Sequence, residues 1–141
     1  MNSLNKLAIV LIVVVSGCTL GDNLDRRYTK ETPVPAQVSN SDICLSLPLQ
    51  SDEAVVSAIT YNLEKPSEQF IFPSSKQAKS GLFCIQPDEF KFKSGQEYLT
   101  QIEVNRSADS ENKKATRKAY VSTFRVIEKG DKLSIIQTRH K

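Results

Sequence analysis

From Pro33 to the C-terminus, no window of a dozen residues carries an apolar stripe with a period of 3.6. Short runs alternate with a period of two instead, and proline or glycine cuts them. That pattern admits strands and leaves no place for an ordinary helix. Ile43, Leu45 and Leu47 fall on one face of a strand that ends at Pro48, and Val55, Ile59, Tyr61 and Leu63 are in phase in a longer run, 54–63. Further strands are read at 68–72, at 82–85 between Gly81 and Pro87, and at 97–106 with Tyr98, Thr100, Ile102 and Val104 together. Two more follow at 118–128, with Tyr120, Phe124 and Val126, and at 132–137 after the Gly130–Asp131 turn. The run 33–38 holds Pro33 and Pro35 and suits only an edge strand. Only 87–92 suggests a helical turn, because proline suits a first helical position. The predicted fold is all-β: an immunoglobulin-like sandwich of two sheets, built from about seven or eight short antiparallel strands. Gly95 shortly before Tyr98 supports it, because a loop glycine ahead of a strand-opening tyrosine marks the corner into strand F of such domains.

The first 17 residues read as a leader. A short polar start with Lys6 precedes nine apolar residues, 7–15. Nine residues span about 14 Å as a helix, too little for a hydrocarbon core of roughly 30 Å. Val15-Ser16-Gly17-Cys18 follows, and resembles the bacterial lipobox. The resemblance implies cleavage before Cys18, a covalent lipid on its thiol, and acylation of its new amino group. Several acyl chains hold a protein stably to a bilayer. Thr19 stands where aspartate resembles an inner-membrane retention signal, so the outer membrane, facing the periplasm, is the expected location. The expected organisation is a signal peptide at 1–17, a lipidated N-terminus and tether at 18–32, and a β domain at 33–141. Fourteen flexible tether residues reach roughly 20 Å.

Loss of Lys6 leaves 18 basic and 16 acidic residues, a net charge of +2 that gives nucleic-acid binding little support. His140 is the one histidine, so histidine-based metal sites and Ser-His or Cys-His machinery are nearly excluded. No cofactor beyond the covalent lipid and no small-molecule substrate is indicated. Cys44 and Cys84 remain after acylation of Cys18. An even pair in a small exported domain implies a disulfide, here a buried one tying two apolar strands together. No carboxylate pair or activated serine forms a catalytic constellation. The polar run 107–116 is a long hairpin tip, and Lys113, Lys114 and Arg117 are the candidate contacts for an acidic protein surface or lipid headgroups.

Taken in order, these elements resemble a family of small enterobacterial lipoproteins assigned to type VI secretion immunity. The resemblance rests on Cys18, then Gly21-Asp22 and Tyr28. The cysteine strands Ile43-Cys44-Leu45-Ser46-Leu47-Pro48 and Gly81-Leu82-Phe83-Cys84-Ile85-Gln86-Pro87 follow. Next come Phe90 and Phe92, Gly95 to Tyr98, and the basic-aromatic stretch from Arg117 to Phe124. It implies a non-enzymatic binding module that neutralises a toxin delivered into the periplasm. The alternatives are an accessory envelope lipoprotein and a lysozyme-inhibitor type of lipoprotein.

Overall fold

The computed structural model describes residues 30–106 and 117–138. Nine strands form two sheets, and the described residues contain no helix. They are β1 (Glu31–Pro33), β2 (Ala36–Ser39), β3 (Asp42–Ser46), β4 (Glu53–Asn62), β5 (Gln69–Ile71), β6 (Leu82–Ile85), β7 (Glu97–Arg106), β8 (Lys118–Lys129) and β9 (Lys132–Thr138). The larger sheet runs β1-β8-β7-β4-β5, with β9 also on β8; the smaller runs β2-β3-β6. If lettering begins with A at β2, and β6 is read as E, the sheets are A-B-E and G-F-C-C′. That is the strand order of an immunoglobulin-like sandwich.

Two details depart from a sandwich of seven or eight antiparallel strands. β1 pairs with β8 in parallel, Glu31 opposite Ala119 and Pro33 opposite Val121. Residues 31 and 32, expected in the tether, therefore already belong to the sheet. The expected edge strand 33–38 is split, because Val34 and Pro35 carry the chain from the large sheet to the small one. Proline's missing donor suits that break. β2 then turns into β3 through Asn40 and Ser41, both with positive φ (52° and 83°), as a two-residue primed hairpin turn requires. The segment 87–89 makes one turn, with the Phe90 N–H donating to the Gln86 carbonyl at 3.2 Å.

The core lies between the sheets. Leu45, Phe83, Ile85, Val55, Phe72, Ile102, Val104 and Tyr120 fill one part, while Ile43, Tyr98, Phe124 and Val126 fill the other, flanked by Phe90 and Phe92. Full burial of side chains of this size contributes roughly 1.5–3 kcal/mol each. Tyr98 is fully buried, yet its hydroxyl accepts a 2.7 Å hydrogen bond from the Lys93 N–H. This is the tyrosine corner expected at the start of strand F. Gly95, at φ 84°, lets the chain double back, and its N–H donates to the Val126 carbonyl at 2.7 Å.

Cys44 and Cys84 are bonded and stand directly opposite each other on β3 and β6. Phe83 and Ile85 point into the core, so Cys84 points the other way, and the bridge lies on the face of the small sheet turned away from the large one. Cys44 is buried and Cys84 half-buried.

The phase expected in β4 holds only at its start. A bulge between Val55 and Ser57 shifts the register against β7. Val55 points inward, but beyond the bulge Ala58, Thr60 and Asn62 take the core face, while Ile59 and Tyr61 turn outward. Inside, the Thr60 and Thr100 hydroxyls bond each other at 2.9 Å. Asn62 Nδ2 donates to Gln96 Oε1, and Asn62 Oδ1 accepts from the N–H groups of Glu64 and Lys65. Gln77 serves the bulge like a short strand: its side chain accepts from the Val55 N–H and donates to the Val55 carbonyl, both at 2.8 Å.

Candidate binding surface

Cys18, Lys113 and Lys114 lie outside the described residues. Arg117 immediately precedes β8, at the end of the sandwich where the 107–116 segment joins β7 to β8. Three cations there face three carboxylates. Arg117 Nη1 is 3.6 Å from Glu103 Oε2, Lys118 Nζ is 3.1 Å from Glu53 Oε2, and Arg106 Nε is 3.4 Å from Asp52 Oδ2. Such partly exposed pairs add little stability, typically below about 1 kcal/mol each. Their effect is to leave this rim close to neutral, so Arg117 does not stand as an isolated positive charge.

Glu53 differs from its neighbours, because its side chain is only 1% exposed. Burial, the largest single influence, pushes its carboxyl up. The Gln50 N–H, which donates to Glu53 Oε1 at 2.9 Å, acts the other way together with the Lys118 and Arg106 cations. The balance holds Glu53 below the ordinary value of 4.5, so it stays ionised at neutral pH. Among the described residues, no three His, Cys, Asp or Glu side chains gather as metal ligands would.

The outer face of the large sheet is the more distinctive surface. The registers align two rows across it. One runs Ile71, Ile59, Gln101, Val121, Pro33, from β5 through to β1. The next runs Gln69, Tyr61, Leu99, Thr123, Thr138, from β5 through to β9. Neither row contains a charge. The rows flanking them do: Glu103 with Glu31 on one side, Glu97 with Arg125 on the other. Leu99, Val121 and Thr123 at the centre are buried. Of the exposed large hydrophobic residues of the described chain, Ile71 (67%) and Ile136 (52%) lie on this face, at its β5 and β9 edges, and Val56 (37%) sits at the β4 bulge. An antiparallel sheet with one face in water ordinarily makes that face polar.

The face runs into a groove of about 610 Å³ where β1 and β9 meet end to end along β8. Val121, Thr123, Thr138, Pro33 and Glu31 belong to its walls. Gln137 spans the seam: its Oε1 accepts from the Ala36 N–H at 2.9 Å, and its Nε2 donates to Ser122 Oγ and to the Thr123 carbonyl, both at 2.8 Å. The side chain thus ties β2 of the small sheet to β8 of the large one beside the point where β1 and β9 stop.

Fold and surface define a β-sandwich with an uncharged band on its larger sheet and an ion-paired rim. Residues 30–129 match a domain family of unknown function, DUF7480, and the chain belongs to that family. No curated protein and no solved structure matches the chain.

Proposed function

We propose that this is a lipid-anchored periplasmic binding module without catalytic activity, and that a protein partner docks on the outer face of the large sheet. The partner implied by the sequence resemblance is a toxin delivered into the periplasm by type VI secretion, neutralised by steric cover. One observation supports the choice of surface: two adjacent rows of this face carry no charge and expose Ile71 at the β5 edge, while charged rows flank them, Glu103 with Glu31 on one side and Glu97 with Arg125 and the exposed Ile136 on the other. Interfaces that hold tightly place apolar anchors at the centre and charge at the rim. Lys113, Lys114 and Arg117 then serve to steer the encounter.

The experiment pairs a gene deletion with a surface variant. A strain lacking the gene is challenged by siblings delivering the effector encoded next to it. It should die, survive with the wild-type gene restored, and die again with Ile71→Glu combined with Ile136→Glu. Both substitutions are at exposed positions, so the variant should fold and accumulate normally. If the deletion strain survives as well as its parent, and the purified protein binds no such effector, the toxin reading is wrong and an accessory envelope role takes its place.

A further inference from the structure

At the end of the sandwich away from the 107–116 segment, a second surface feature stands apart from the sheet face. It is a pocket of about 190 Å³ between the β2–β3 turn, the β6–β7 connection and the β8–β9 hairpin. Ile85, Phe90, Phe92 and Leu133 form its apolar walls, with Pro87 beside them. Lys91 and Glu128, both exposed and of opposite sign, stand at its rim with Ser41.

The walls are fixed before any partner arrives. Phe90 and Phe92 meet edge to face at 4.9 Å, and Phe92 meets the buried Tyr98 ring at 4.8 Å. Glu89 accepts from the Gln86 N–H at 3.0 Å and pairs with Lys76 at 2.8 Å. Lys76 in turn lies 5.3 Å from the centre of the Phe83 ring. The connection that shapes the pocket is therefore stapled at both ends, by that ion pair and by the tyrosine corner. A rigid site loses little entropy on binding.

We infer that this pocket accepts one aromatic side chain from a protein partner. Its size has room for one ring: the pocket is open to solvent on one side, and its volume of about 190 Å³ exceeds the roughly 150 Å³ of an enclosed apolar cavity that takes benzene. Its walls decide the preference, because Phe90 and Phe92 offer ring edges and faces to another ring. The rim carries one charge of each sign, Lys91 and Glu128, and so favours neither a cationic nor an anionic side chain. Its position leaves it accessible. The chain enters the sandwich at Glu31, opposite Ala119, whereas the pocket lies beside Glu128. Those two β8 residues are nine apart, about 30 Å along a strand. A tether at the N-terminus therefore leaves the pocket on the far end.

The inference does not depend on the identity of the partner proposed above, and its test uses none. The full chain in phosphatidylcholine nanodiscs is titrated with N-acetyl-phenylalanine amide, and with N-acetyl-alanine amide as a control, while methyl NMR signals are followed. The Ile85 and Leu133 methyls should shift saturably with the aromatic amide, with a dissociation constant of about 1 mM, and stay in place with the alanine amide. Leu133→Trp, which fills the pocket, should abolish the Ile85 shift. Leu133→Ala, which enlarges it without overpacking, should retain it. Absence of saturable shifts in the wild-type chain, or equal shifts with both amides, overturns the inference. So does an unchanged Ile85 response in folded Leu133→Trp. None of these results touches the sheet-face reading, which rests on Ile71 and Ile136.

Discussion

Tyr98→Phe isolates a single hydrogen bond. The ring is fully buried and packs on Phe90, Phe92 and Phe124, and all of those contacts survive the substitution. The change removes only the hydroxyl that accepts from the Lys93 N–H at 2.7 Å. A stranded donor costs about 1–3 kcal/mol when water cannot reach it. Lys93 is exposed, so water recovers part of that, and a loss of about 1–2 kcal/mol is expected. For a domain of about 100 residues this lowers Tm by roughly 5–10 °C. A pH signature separates the corner from general loosening. Burial holds the Tyr98 phenol above its ordinary value of 10.0, opposed by the Lys93 hydrogen bond, with Glu68 adding to the upward push. In the window above pH 10 the unfolded chain gives up this proton before the folded chain does. The Tyr98 contribution is therefore complete below 10 and lost as pH rises toward the folded value. Thermal melts followed by circular dichroism at pH 7 and pH 10.5 test both parts. The variant should start lower and lose less between the two pH values. A Tm within 2 °C of wild type at pH 7, with an unchanged alkaline loss, would show that the corner does not hold the β6–β7 connection.

The remaining expectations concern the bridge, the buried carboxylate and the anchor. Replacing Cys44 and Cys84 together releases a loop closed over a separation of 40 residues, and should cost about 4 kcal/mol in urea unfolding. Two free thiols by mass spectrometry in periplasmically expressed protein would refute the bridge. Glu53 is held below 4.5, so its contribution is present above that value and lost as pH falls through the lower, folded one. Glu53→Gln should flatten the acid limb of a stability–pH curve, and an unaltered limb would remove Glu53 from the account. Cys18→Ser should abolish labelling by radioactive palmitate, whereas continued incorporation would disprove lipidation at that residue.

The period-two runs were legible because one face of nearly every strand is buried: the phases read for β3, β7 and β8 are the phases of the core. The same logic failed in β4, and the failure hid the uncharged outer face of the large sheet. With Val55, Ile59, Tyr61 and Leu63 in one phase, the polar Thr60 and Asn62 read as solvent-facing. One extra residue at the bulge reverses that, and nothing local in Val55-Val56-Ser57 announces it. Its partner is Gln77, 22 residues away, whose amide fills the gap beside Val55. The parallel pairing of β1 was equally hidden, since a three-residue exposed strand with a proline has no periodicity to read. The tyrosine corner was visible because it is local: Gly95, Tyr98 and Lys93 lie within six residues.

Topology also decides how the two candidate contact regions relate to an anchor. Because β1 runs parallel to β8, a tether joins the sandwich at the end where Arg106, Arg117 and Lys118 sit and where the 107–116 segment begins and ends. On the proposed anchoring, the ends of β7 and β8 with their rim of paired charges face the membrane, while the sheet face stands to the side. The two regions then have separate kinetic roles. Exposed charges govern the rate of encounter and are screened over about 8 Å at physiological salt. Lys113→Glu, Lys114→Glu and Arg117→Glu together should slow association with the partner at low salt and leave dissociation unchanged. Ile71→Glu should do the reverse, because an apolar anchor acts on residence time. If charge reversal in the loop speeds dissociation more than Ile71→Glu does, the loop is the contact and the sheet face is not.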